Sequence, residues 1–250
     1  MSIHLFGVSY AGGSAAATYG RWSRLLPATI KVHALELPGH GRRMAEPFAA
    51  SLEMAVTDLL RQLEAALGAE QNWAVYGHSM GATLCYELVK AAAAAGLPAP
   101  QAMFLSGRNP PHYAYPQRNL HLLDDESFLD EIKKLGGTPV DFFQMKSLLQ
   151  AFLPILRNDY RIIELYRQSL PIHITPADIV FFASNQDVLV KREEALEWER
   201  YTSATFAIHD FPGGHFFINE QQEAICRIIS QSLSPHISAH KLPSSTLSWA

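Results

Sequence analysis

Cysteine is nearly absent from this chain: only Cys85 and Cys226 occur among 250 residues. Two residues so far apart make neither a disulfide framework nor a cysteine-rich metal motif. They read as small buried hydrophobes in a reducing compartment. Charge is sparse as well, at 18% of residues with a formal net charge of -4. Basic residues gather only in pairs such as Arg42-Arg43 and Lys133-Lys134, so the electrostatic footprint of nucleic-acid binding is missing. No apolar run approaches the roughly 20 residues that span a bilayer. The N-terminus enters a strand-like run, Ile3–Val8, without the basic start and cleavage site of a signal peptide. No internal repeat is visible. A soluble, cytoplasmic, monomeric protein with no membrane or nucleic-acid partner is expected.

What is present is apolar mass. Hydrophobic residues make up 48% of the chain, enough for one sizeable core. Short β-branched or aromatic runs at Ile3–Val8, Lys31–Leu37, Trp73–Tyr76, Ala102–Ser106, Ile179–Ala183 and Ala204–Ile208 read as strands. Between them lie amphipathic stretches, including Ser51–Leu67, Ala82–Ala95, Lys191–Tyr201 and Asn219–Leu233. This alternation predicts a mostly parallel central sheet with helices on both faces, and chemistry at the carboxyl ends of the strands. From about Pro111 to Pro171 the alternation stops. Asp124–Leu135 reads as a helix opened by acids and ended by Gly136-Gly137. Phe142–Tyr166 reads as another, which Pro154 should kink or divide. Such an insert is expected to form a lid on the sheet's active edge. Residues 1–233 then form a single domain, and Ser234–Ala250, rich in Ser, Pro and His, a mobile tail.

Gly77-His78-Ser79-Met80-Gly81 matches the nucleophile elbow of the α/β-hydrolase fold. A short apolar strand precedes it and a helical pattern follows, the context that the motif requires. The tight turn lifts the Ser79 hydroxyl above the sheet, and the Met80 N–H at the helix start can donate to an oxyanion. A serine needs a base. Among 11 histidines, His215 stands out, in Gly213-Gly214-His215-Phe216-Phe217 after the last strand. His4 and His33 sit in strand runs, His78 should point away from the nucleophile and pack, and His40 falls in a turn near the pocket mouth. The imidazole in turn needs a carboxylate. Asp187 follows a strand after Ser184-Asn185-Gln186, whereas Asp178 lies at the opposite strand end. Asp210, five positions before His215, is the other candidate. The second oxyanion donor is expected from Tyr10-Ala11-Gly12-Gly13-Ser14, at the N–H of Ala11 first and Gly12 second. That loop lacks the Lys-Ser/Thr ending of a phosphate-cradling loop. No metal or cofactor is expected.

Taken together, Tyr10-Ala11-Gly12-Gly13-Ser14, Leu37-Pro38-Gly39-His40-Gly41-Arg42-Arg43, the elbow and Phe211–Phe217 resemble the type II thioesterases of nonribosomal peptide and polyketide synthase systems. Leu135-Gly136-Gly137-Thr138-Pro139 and Leu156-Arg157-Asn158-Asp159-Tyr160 are similar to that family's lid pattern. The resemblance runs from about residue 5 to 233. It implies hydrolysis of acyl or aminoacyl thioesters on the phosphopantetheine arm of an acyl or peptidyl carrier protein, which clears misprimed or stalled synthase modules. In the turn before Asp187 the family often opens on glycine, where this chain has Ser184. The triad alone also fits a carboxylesterase, lipase or acyltransferase. Arg42, Arg43, Lys133 and Lys134 are candidates, by position, for steering an acidic carrier.

Overall fold

The structure is a computed structural model that describes residues 2–113, 119–136 and 145–238. Six strands, β1 (Ile3–Val8), β2 (Ile30–Leu35), β3 (Trp73–His78), β4 (Ala102–Ser106), β5 (Asp178–Ser184) and β6 (Phe206–Phe211), form one sheet in the order β2-β1-β3-β4-β5-β6. Every neighbouring pair is parallel. β1, β3 and β4 are buried along their whole length, as continuous apolar runs require. β2 and β6, at the edges, are only partly covered. β6 starts and ends later than its apolar run suggests because pairing with β5 sets its register, with Phe206 opposite Ile179 and Phe211 opposite Ser184.

The helices among the described residues are α1 (Ala15–Tyr19), α2 (Trp22–Leu25), α3 (Leu52–Leu67), α4 (Met80–Ala94), α5 (Asp125–Leu135), α6 (Lys146–Leu165), α7 (Arg192–Ala195) and α8 (Gln222–Ser238). One face of the sheet is covered by α3, α4 and the segment from Ala195 to Tyr201, where Trp198 and Tyr201 are fully buried. The other face is covered by α1, α2 and α8 through residues such as Tyr19, Trp22, Ile225 and Ile229. Ser51 begins α3 by accepting the Met54 N–H, so one side chain satisfies a donor that the helix leaves open. This is the α/β architecture expected of the hydrolase fold.

Three local expectations need correction. Pro154 does not divide its helix, since α6 runs from Lys146 to Leu165 through it. The carbonyl that Pro154 leaves unpaired belongs to Gln150, which is exposed to water, while Leu156 and Tyr160 pack against Phe128 and Ile132 of α5. The expected start of this helix, Phe142, lies outside the described residues. The stretch Lys191–Tyr201 is a four-residue α-helix followed by a 3-10 turn over Leu196–Tyr201, not one α-helix. Finally, α8 continues past residue 233 to Ser238 despite Pro235, and Ile237 packs on the core beneath it. The rest of the expected tail lies outside the described residues.

The chain turns from β2 back across β1 to β3, so β1 and β3 meet at the point where strand order reverses. In open parallel sheets that is where ligands bind, beyond the carboxyl ends. Val8 pairs with Gly77 there, which brings the loop after β1 beside the elbow after β3. The insert, with α5 and α6, lies between β4 and β5.

Candidate active site

Ser79 sits at φ 55° and ψ -120°, a left-handed conformation that a side chain adopts only under strain. Its N–H donates to the Ser106 carbonyl at 2.9 Å, which ties the elbow to the end of β4. The flanking glycines are required by close approach. A Cβ on Gly77 would run into the Gly81 carbonyl, and one on Gly81 into the Val8 carbonyl. The first turn of α4 therefore lies directly against β1 and β3.

His215 is 2% exposed and bridges two partners. Its Nε2 lies 3.1 Å from Ser79 Oγ, and its Nδ1 lies 2.9 Å from Asp187 Oδ2. The other Asp187 oxygen accepts the Leu189 N–H at 2.8 Å. Nδ1 thus faces a carboxylate that can only accept, which leaves Nε2 free of its proton and aimed at the hydroxyl. The glycine-rich loop before His215 is tethered as well: the Ser184 hydroxyl donates to the Gly213 carbonyl. Asp210 lies elsewhere, in an exposed pair with Arg192 at 2.9 Å. Asp178 opens β5, at the opposite end of that strand from Asp187.

The loop Tyr10–Ser14 lies beside the elbow. The Gly13 N–H closes a turn onto the Tyr10 carbonyl at 2.9 Å. Gly12 cannot serve as an oxyanion donor, because its N–H already donates to Asp159 Oδ2 at 2.7 Å. Among the described residues, the N–H groups of Ala11 and Met80 have no acceptor within the protein. The far end of the loop is held by Glu36, 1% exposed, which accepts from the Ala15 N–H and the Ser14 hydroxyl at 2.8 Å each. A cavity of about 350 Å³ opens over Ser79 and His215, walled by Tyr10 and Ala11 and by Leu135, Phe152 and Leu156 of the insert.

Two histidines behave differently from expectation. His78 does pack, but toward the site: its ring centroid is 4.9 Å from that of His215. Its Nδ1 lies 2.9 Å from Ser106 Oγ, and burial, with the neighbouring His215 adding to it, pushes its pKa well below the ordinary value. His40 is not at the pocket mouth. It is buried, with Nδ1 3.0 Å from the Pro38 carbonyl and Nε2 2.8 Å from Asp159 Oδ2. Burial pulls its pKa down, but the hydrogen bond and charge of Asp159 outweigh burial and raise it. Sequence reasoning gave no role to Glu36 or Ser106, and placed Asp159 only within the segment Leu156–Tyr160 that resembles the family's lid pattern. Asp159 had a signal: it is an acid inside the apolar stripe Leu156, Tyr160, Ile163.

Of the candidate steering cations, Arg43 is bound to Glu46 and Asp58, while Lys133 and Lys134 pair with Asp130 and Glu131 on their own helix. Arg42 is exposed and without a carboxylate partner among the described residues. Its turn lies against Ser14, on the cavity wall. Among the described residues no group of three His, Cys, Asp or Glu could hold a metal ion, and no helix is long and apolar enough to cross a membrane.

Comparison with known proteins gives consistent matches. Residues 3–233 match the thioesterase domain family. The chain is 34% identical to thioesterase PikA5 of Streptomyces venezuelae, over 93% of this chain and 81% of that protein. ClbQ, from the colibactin NRPS/PKS pathway, superposes with a TM-score of 0.90 at 35% identity, over 96% of this chain and 100% of that one. BorB, a type II thioesterase from the borrelidin biosynthetic cluster, superposes with a TM-score of 0.83 at 32% identity, over 93% of each chain.

Proposed function

Because this chain belongs to the thioesterase family, we propose that it is a type II, editing thioesterase, which frees acyl or aminoacyl groups from the phosphopantetheine arm of carrier proteins through an acyl-Ser79 intermediate. The observation that carries the reading is the hydrogen-bonded relay Asp187–His215–Ser79, opening onto a cavity that Ala11 also lines. The relatives support this substrate class: ClbQ comes from an NRPS/PKS pathway and BorB is a type II thioesterase.

The steps follow from the geometry. The acyl group lies against Leu135, Phe152 and Leu156, with its carbonyl carbon above Ser79 Oγ. His215 Nε2 takes the hydroxyl proton as Oγ bonds to that carbon. The carbonyl oxygen takes the displaced electron pair and is held by the N–H groups of Ala11 and Met80. The C–S bond then breaks, and the phosphopantetheine thiolate takes up the proton from His215. A water molecule gives a proton to the same nitrogen and attacks the acyl-serine. The carboxylic acid leaves, and the proton returns to Ser79 Oγ. Asp187 stays ionised and favours the imidazolium in both halves.

Arg42 is a cation available to meet an acidic carrier at the cavity rim, and the protein acts as a monomer in the cytoplasm. The test is turnover of an acyl-carrier thioester against a matched oxygen ester. The wild type should favour the thioester, and Ser79→Ala should hydrolyse neither. A wild type that cleaves only the oxygen ester would remove the thioesterase reading.

A further inference from the structure

The lid and the oxyanion loop meet in a single carboxylate. Asp159, on the buried stripe of α6, is 0% exposed. Its Oδ2 accepts from the Gly12 N–H at 2.7 Å and lies 2.8 Å from His40 Nε2. His40 Nδ1 faces the Pro38 carbonyl, which can only accept, so that nitrogen carries a proton. A second proton then sits between Nε2 and Oδ2, as the raised pKa of His40 also indicates. The ring is thus pinned at both nitrogens and fixes the carboxylate in turn. The side chains of Phe152 and Leu156, from the same helix, pack where a Cβ of Gly12 would project.

The contact falls at the loop's weakest point. Gly12 is at φ +76° and is followed by a second glycine, so the backbone has little stiffness of its own there. The peptide that bears the Ala11 N–H is held at its carbonyl by the Gly13 N–H. The next peptide is held at its N–H by Asp159. With both held, the Ala11 N–H has one direction. Without Asp159, the second peptide is free to turn.

We propose that Asp159 is a positioning residue for catalysis, which reaches from the lid to lock the Ala11–Gly12 peptide and so aims the Ala11 N–H at the reacting carbonyl. A purely stabilising role accounts poorly for what is seen. Buried ion pairs rarely outperform apolar packing in stability. Moreover, Asp159 Oδ1 has no hydrogen-bond partner among the described residues, and leaving a buried acceptor so costs stability. One oxygen takes both contacts, with Gly12 and with His40, while the other goes without.

The proposal rests on the acyl-serine reading of the site, and the test separates the two. Turnover is measured on an acyl-carrier thioester, on a small acyl thioester with the same acyl group, and on a p-nitrophenyl ester. Asp159→Ala should lower kcat on all three by a similar factor, on the order of 10- to 100-fold, with KM within about twofold. Asp159→Asn should recover most of that loss, because an amide oxygen in the place of Oδ2 can still accept from the Gly12 N–H. If the alanine variant fails to fold, the double variant His40→Leu/Asp159→Leu replaces the pair with apolar bulk and should show the same kcat loss. A folded variant with undiminished kcat overturns the proposal. So does a loss confined to the carrier substrate, which would mark a lid or docking effect. Wild-type cleavage of the p-nitrophenyl ester without either thioester would sink the functional reading and leave the anchor to be judged on the ester.

Discussion

The ring of His78 lies 4.9 Å from that of His215, inclined by 45°, and only one of the two bears on the nucleophile. Burial holds His78 uncharged, well below the ordinary imidazole pKa of 6.5. Two adjacent cations would be costly here, so His78 forms a neutral wall that leaves His215 free to gain a proton during turnover. The acid limb of kcat/KM against pH should therefore fit a single ionisation. A limb that needs two would show His78 titrating beside the base.

The same burial has a consequence for stability. A histidine held neutral in the folded state regains its proton affinity on unfolding, so the unfolded chain binds more protons in acid. Its contribution is present above pH 6.5 and is lost as the pH falls below that value. His40 has the opposite sign: its pKa is raised, so its contribution is full below pH 6.5 and fades as the pH climbs through the folded value. Melting curves of His40→Gln should approach the wild type in alkaline buffer, and those of His78→Phe should approach it in neutral buffer and exceed it in acid.

Asp187→Asn should lower kcat by roughly 10⁴-fold with the fold intact. The Leu189 N–H selects the amide oxygen, so the amide nitrogen faces His215 Nδ1 and must donate to it. The ring proton then sits on Nε2, pointing at a hydroxyl that it can no longer deprotonate. Single-turnover acylation is the measurement, with circular dichroism to establish folding.

Ser184→Gly removes the hydroxyl that holds the Gly213 carbonyl. A lost hydrogen bond of this kind is worth about 1 kcal/mol. Chemical denaturation should show that loss, and kcat should fall several-fold at unchanged KM, because the loop that carries the base is loosened while the cavity is not.

Arg42→Glu should raise KM for an acidic acyl carrier about 3- to 10-fold at low ionic strength, an effect that salt erases. KM for a small acyl thioester should stay as it was. Arg43→Glu should instead lower the melting temperature, since it sets a third acid beside Glu46 and Asp58.

Much of this site was legible in the chain because its parts sit on short, local signals. The elbow needs two glycines at fixed places around Ser79, and β3 before it is an unbroken apolar run. Asp187 and His215 each follow a strand by a few residues. Other features depend on partners distant in sequence. Nothing near Glu36 tells that it holds Ser14 and Ala15, and nothing near Asp159 names Gly12, 147 positions away. Pro154 was expected to kink or divide its helix, and a tail to begin at Ser234. At both places the helix runs on, because tertiary packing of Leu156 and Ile237 outweighs one missing hydrogen bond.

The relay is divided between unequal parts of the sheet. Ser79 rises from fully covered β3, whereas Asp187 and His215 hang from β5 and the half-exposed border strand β6. Fraying begins at borders. Mild heat should thus disarm the proton acceptor first, leaving an alcohol still perched on its turn and chemically inert, with recovery on cooling needing only that one strand zip back.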